Sequence, residues 1–104
     1  MMKDIVKSQI NEEEMNKGLK VVVFYATWCG PCRMYKSSLE MLSEKDSVDV
    51  YRVNIDEDRA FAQEMGVSSI PATFVYEDGK MIKSFMGYRP YDQLRQEIEK
   101  LSAK

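Results

Sequence analysis

Lys20-Val21-Val22-Val23-Phe24-Tyr25-Ala26, followed at once by Thr27-Trp28-Cys29-Gly30-Pro31-Cys32, is the stretch that decides the fold. Behind Lys20 runs a short, continuous apolar segment rich in β-branched and aromatic side chains, the pattern of a strand buried on both faces. Pro31 suits the first turn of a helix, where a missing N–H costs nothing. A helix is therefore expected from about Pro31 to Glu44, with Tyr35, Leu39 and Leu42 on one side at helical spacing. Cys29 falls where the buried strand gives way to that helix.

Working outward, a short strand is expected over roughly residues 3–7 and a helix over roughly 9–17, with Glu12-Glu13-Glu14 on its solvated face. Val48 to Ile55 reads as the next strand. Asp56 or Asp58 can cap a helix running to about Met65, and Gly66 is its natural stop. Ala72 to Tyr76, then Asp78-Gly79, then Met81 to Phe85 reads as a β-hairpin whose turn takes positive φ angles. Pro90 can open a last helix with Leu94, Ile98 and Leu101 as its core stripe. Met34, Met41, Met65 and Met81 lie within these patterns and are expected mostly as core filling. The order β-α-β-α-β-α-β-β-α implies parallel strands joined by right-handed crossovers, then an antiparallel hairpin. The expected fold class is α/β, a mixed sheet with helices on both faces.

The 104 residues suit one domain, 1–104, whose core can stand without disulfide staples. With 15 basic and 17 acidic residues, the net charge of −2 does not advertise nucleic acid or an anionic membrane as partner. The polar segment from Met1 to Lys20 lacks the apolar core of an export signal, and no stretch approaches the ~18 apolar residues of a membrane span. The expected location is the reducing cytoplasm, where a lone cysteine pair points to redox or metal chemistry rather than a structural bridge. Zinc takes four ligands, and this chain offers two cysteines and no histidine. Metal binding is accordingly disfavoured. The absence of histidine also excludes Ser-His-Asp and Cys-His catalysis.

Helix N-termini carry partial positive charge and free N–H donors. Both favour the thiolate, the nucleophilic form of cysteine. Cys32 lies one helical turn deeper on the same side and can close a small-ring disulfide with Cys29. Cys29 would attack a substrate disulfide, and Cys32 would then attack Cys29 and release the reduced substrate. Gly30 leaves room for an incoming backbone, and Pro31 restrains the loop. Trp28 has a core reading and a surface one; at a strand exit beside the nucleophile, an apolar wall for substrate is the favoured one.

Taken together, Trp28-Cys29-Gly30-Pro31-Cys32, the later Ile70-Pro71, and the segments Phe24-Tyr25-Ala26, Asn54-Ile55-Asp56, Asp78-Gly79 and Gly87 resemble the thioredoxin family along nearly the whole chain. The resemblance implies a three-layer α/β/α sandwich with about five strands and about four helices. It implies a protein-disulfide reductase with no bound cofactor beyond the redox-active Cys29–Cys32 disulfide. Electrons would come from NADPH through a thioredoxin reductase, clients would be disulfide-containing proteins, and the working state would be a monomer. Pro71 would be a cis-proline packed against the cysteines. Ile70 would offer backbone hydrogen bonds to an extended substrate, with Gly87 and Met86 lining the same groove.

The chain departs from the family pattern at four positions. Val23 stands where a buried Asp usually helps deprotonate the resolving cysteine, and Arg52 replaces the accompanying lysine. Ser37 replaces a helix-kinking proline, and Ala72 follows Ile70-Pro71 where Thr is common. Val23 and Arg52 are therefore the candidates for tuning the cysteine pair: without an acid at Val23, Cys32 is expected to resolve slowly near neutral pH, with the Arg52 charge still favouring its thiolate. Two other readings stay open at this stage, a reductase dedicated to one client and a binding subunit whose redox turnover is incidental.

Overall fold

The computed structural model describes residues 1–102, so residues 103–104 of the expected domain lie outside the described residues. Strand β2 (Leu19–Tyr25) is the central strand of a five-stranded sheet ordered β1-β3-β2-β4-β5. Its partners are β3 (Asp49–Asn54), running parallel, and β4 (Ala72–Glu77), running antiparallel. The edges are β1 (Met2–Asp4), parallel to β3, and β5 (Lys80–Met86), antiparallel to β4. Burial of Lys20 to Tyr25 follows from this central place, and the apolar run in the sequence is its cause.

Alternation along β2 divides the core. Val21 and Val23 face α2 (Gly30–Lys45) and α4 (Tyr91–Ser102), packing with Tyr35, Leu39, Leu42, Leu94 and Ile98. Val22 and Phe24 face the other way, onto Phe61 and Ala62 of α3 (Arg59–Glu64), with Met15 of α1 (Glu12–Met15) beside them. The result is a five-stranded mixed sheet between two helical layers, the expected α/β/α sandwich, with four α-helices among the described residues. In the second layer Phe24 meets Phe61 and Phe74 edge-on, at ring-centroid distances of 5.0 and 5.6 Å.

The N-terminal segment differs from its sequence reading. The strand expected over 3–7 occupies Met2–Asp4, because the Val6 N–H turns to the Gln9 side chain and starts a single 3-10 turn at Lys7–Gln9. The helix expected over 9–17 shrinks to the four residues of α1, starting from the Asn11 side chain, which accepts the Glu14 N–H. Gly18 at φ +71° closes the segment and feeds β2. Elsewhere the expectations hold within a residue or two. Asp58, rather than Asp56, caps α3, and Asp78 and Gly79 take the positive φ angles of a tight hairpin turn (51° and 86°). Met34 and Met81 correct the core-filling expectation: both are more than half exposed, while Met41 and Met65 are half-buried.

Candidate active site

The parallel strand β2 ends at Tyr25 and the chain reaches the N-terminus of α2 within four residues. Cys29 is the cap of that helix, with extended φ and ψ of −92° and 113°. Its Sγ accepts the backbone N–H of Cys32 at 3.2 Å, so the sulfur does the work a serine or aspartate oxygen does at an ordinary helix start. Pro31 lies in the first turn, where its lack of an N–H leaves no bond unmade. Cys29 and Cys32 are joined as a disulfide with Cα atoms 5.2 Å apart, and Cys32 is the more buried of the two.

Two further loops close on the pair. The Ile70-Pro71 peptide is cis, and the Ile70 carbonyl oxygen lies 3.9 Å from Cys29 Sγ. The Pro71 carbonyl in turn accepts the Gly87 N–H at 2.8 Å, which ties the end of β5 to the same surface. Gly87 sits at φ +98°, a conformation that side chains disfavour; a Cβ there would meet nothing closer than Arg89 Nη1 at 3.6 Å. Backbone conformation rather than crowding is what calls for glycine. Met86 is exposed, with Ser68 Oγ 3.8 Å from its sulfur. Trp28, Gly30 and Pro31 are exposed on the third side. The structure thus brings Trp28, Gly30, Pro31, Ile70, Pro71 and, through Pro71, Met86 and Gly87 around one sulfur pair.

Residues the sequence reading missed hold this arrangement. Trp28 is 63% exposed, yet its indole N–H donates to Asp56 Oδ2 at 2.9 Å. Asp56 is fixed in turn by its own N–H bonding the Asn54 side chain. The residue read as a possible helix cap is the anchor of the wall beside the cysteines. Arg89 plays a similar part at the third loop: its guanidinium bonds the Met86 carbonyl at 3.1 Å and stacks over Phe85. Neither role leaves a mark in local sequence, since each depends on a contact between loops or across a turn.

Val23 and Arg52 are not part of this exposed surface. Asp4, Arg52, Val23 and Thr73 occupy paired positions on four neighbouring strands, so they form one row across the α2 face of the sheet. Val23 is fully buried in the apolar core, and Thr73 beside it hydrogen-bonds Tyr35 Oη at 2.9 Å. Burial pushes the Tyr35 phenol up to about 12, against the lowering influence of that bond. Arg52 is buried, stacks 3.9 Å over the Tyr25 ring and reaches Asp4 Oδ1 at 3.2 Å.

A disulfide at the cap of a helix, packed against a cis-proline turn at the end of the central strands of a mixed sheet, defines a thiol–disulfide oxidoreductase of the protein-disulfide reductase class. The family model for thioredoxin matches residues 2–100, and the chain belongs to the thioredoxin family. It is 35% identical to the thioredoxin of Listeria monocytogenes over 102 residues, covering 96% of this chain and 98% of that one. It is 44% identical to the thioredoxin of Chlamydia caviae over 78 residues, covering 74% and 76%. Among solved structures, a single-site mutant of thioredoxin from Halobacterium salinarum superposes with a TM-score of 0.83 at 27% identity, covering 94% of this chain and 89% of that one. Chloroplastic thioredoxin z shares the fold at a TM-score of 0.87 and 21% identity, covering 99% and 96%. Cys29–Cys32 is the redox-active disulfide of a protein-disulfide reductase.

Proposed function

We propose that Cys29 is the nucleophile and Cys32 the resolving thiol of a single-domain, monomeric, cytoplasmic reductase of protein disulfides. The observation that carries this reading is the helix cap: Cys29 Sγ receives an N–H bond at 3.2 Å at the positive end of a 16-residue helix, which favours its thiolate. Cys29 attacks one sulfur of a client disulfide, forming a mixed disulfide and expelling the other sulfur as a thiolate. Cys32 then attacks Cys29 Sγ; the bond to the client breaks, and the client leaves as a second thiolate. Two electrons pass from the dithiol to the client, and the Cys29–Cys32 disulfide is left.

The client is held as an extended segment between Trp28 and the Ile70-Pro71 turn, against backbone groups of Ile70, with Gly30, Pro31, Met86 and Gly87 as floor and rim. Thioredoxin reductase returns the two electrons from NADPH. This reading is tested by NADPH-coupled insulin reduction with a thioredoxin reductase, comparing the parent with Cys29→Ser and Cys32→Ser. Both variants should lose turnover, and Cys32→Ser should accumulate a covalent client adduct visible by mass. Turnover surviving in Cys29→Ser, or an adduct forming on Cys32 instead, would reject the assignment. Failure to reduce insulin with fast reduction of one particular protein would favour a dedicated reductase.

A further inference from the structure

Resolution requires Cys32 to lose a proton, yet Cys32 is only 3% exposed and the chain contains no histidine to take it. Cys32 lines a cavity of about 340 Å³ whose other walls include Asp4, Tyr25, Arg33, Lys36 and Arg52. Asp4 is the one carboxylate among the described residues that line it. The cavity has room for several waters, each of which takes about 30 Å³ in the liquid. Asp4 belongs to edge strand β1, and its side chain is 60% exposed, so it reaches both the cavity and bulk solvent.

We propose that Asp4 accepts the Cys32 proton through water in this cavity, with Arg52 as the positioning residue that aims its carboxylate. Asp4 and Arg52 are register partners on β1 and β3, and the guanidinium holds Asp4 Oδ1 at 3.2 Å while its face is pinned on the Tyr25 ring. The carboxylate lies in the same cross-sheet row as Val23, two strands further out. A buried apolar side chain at Val23 leaves the resolving thiol without an acid there; the row supplies one from its edge.

In the step, the Cys32 proton passes by water to Asp4. The Cys32 thiolate attacks Cys29 Sγ, the client sulfur departs with the electron pair of its bond, and Asp4 returns the proton to solvent, from which the client thiolate is protonated. Every charged group facing the cavity enters this scheme. Arg33 and Lys36 on α2 and Arg52 on β3 are cationic, and Arg33 is held by the Thr27 carbonyl at 3.1 Å. Tyr25 on β2 stays neutral, its ionisation pushed up by burial and then by Asp4; Glu57, just beyond β3, adds to that push from outside the cavity.

The proposal rests on Cys32 being the resolving thiol, and the test separates the two ideas. The reduced protein is mixed with the aromatic disulfide dithiobis(nitrobenzoate) in a stopped-flow instrument. Attack by Cys29 releases one coloured thiolate, and resolution by Cys32 releases the second. Asp4→Asn should leave the first phase unchanged and slow the second about tenfold at about pH 6–7. The rate should return to the parent value at alkaline pH, where hydroxide deprotonates Cys32 unaided, and Asp4→Glu should retain most of the parent rate throughout. If Asp4 only neutralised Arg52, its removal would leave the cavity more positive and the second phase would quicken. An unchanged or faster second phase overturns the proposal, as does equal slowing at every pH, which marks a purely structural effect. A Cys32→Ser control that still released the second equivalent would overturn the resolving assignment and the proposal together.

Discussion

Val23 is the residue whose surroundings change its meaning most. Its neighbours in the row are Arg52 on one side and Thr73 on the other, and the cluster around it is apolar. A carboxylate placed there would lose its hydration, and the nearby guanidinium already serves Asp4. Val23→Asp should therefore lower stability by roughly 1–4 kcal/mol, read from urea unfolding, since a buried ion pair rarely outperforms an apolar side chain of similar volume. In an Asp4→Asn background the same substitution should restore fast resolution near neutral pH. Trp28 poses the opposite case, an apolar residue held by a polar contact. Removing its acceptor with Asp56→Ala should free the indole to rotate, reducing its fluorescence anisotropy. It should also lower kcat/KM for a protein disulfide about fivefold, which corresponds to about 1 kcal/mol, the net worth of an ordinary hydrogen bond.

Among the elements, α2 carries the chemistry and α4 carries much of its support. The two helices pack together on one face of the sheet, and Leu94 of α4 is fully buried against β2 and α2. Leu94→Ala should cost about 2–5 kcal/mol through lost burial and the cavity it opens. A shift in thermal or urea midpoint, with dithiobis(nitrobenzoate) kinetics unchanged in the folded protein, checks this. The elements also show where periodicity is a good guide. The stripe Tyr35, Leu39, Leu42 and the stripe Leu94, Ile98 are buried as their spacing predicts, because each helix has one face to cover. Met34, by contrast, sits on the exposed side of α2 near the cysteines. α1 fails the same test for a physical reason: four residues are too few to show a helical period, and its acidic run carries no apolar stripe.

At the scale of the whole molecule, the end of the sheet far from the cysteines is tied by charge. Lys20 is almost wholly buried, bonds Asp49 Oδ2 at 2.8 Å, and shares that carboxylate with the N-terminal ammonium at 3.7 Å. The Lys20 bond holds the Asp49 carboxyl below its ordinary value. A depressed folded-state value means that the unfolded chain binds the proton first as the pH falls. The stabilisation is thus complete above about pH 5, beyond the unfolded carboxylate value of about 3.9, and is lost as the pH falls through the folded value. Asp49→Asn should lower the urea midpoint at pH 7, and the difference from the parent should narrow as the pH falls below about 4. The described helices include none long and apolar enough to cross a membrane.

The sequence by itself determined the order of strands and helices, the central place of β2, and the cysteine pair with its neighbours Trp28, Gly30 and Pro31. These are properties of adjacent residues: apolar runs, helical spacing, and the chemistry of a short motif at a strand-to-helix junction. The family resemblance added Ile70, Pro71, Met86 and Gly87 beside that pair, and tertiary structure decided the contacts that hold the arrangement together. Asp56 reaches Trp28 from 28 residues away, the Ile70 carbonyl reaches Cys29 from 41, and Asp4 meets Arg52 across 48. Such partners are chosen by strand register and loop closure, which bring together residues that share no local pattern. The supporting acid of Cys32 is the clearest instance: position 23 reads as a missing carboxylate along the chain, and only the pairing of β1 with β3 puts Asp4 into the same row and the same cavity.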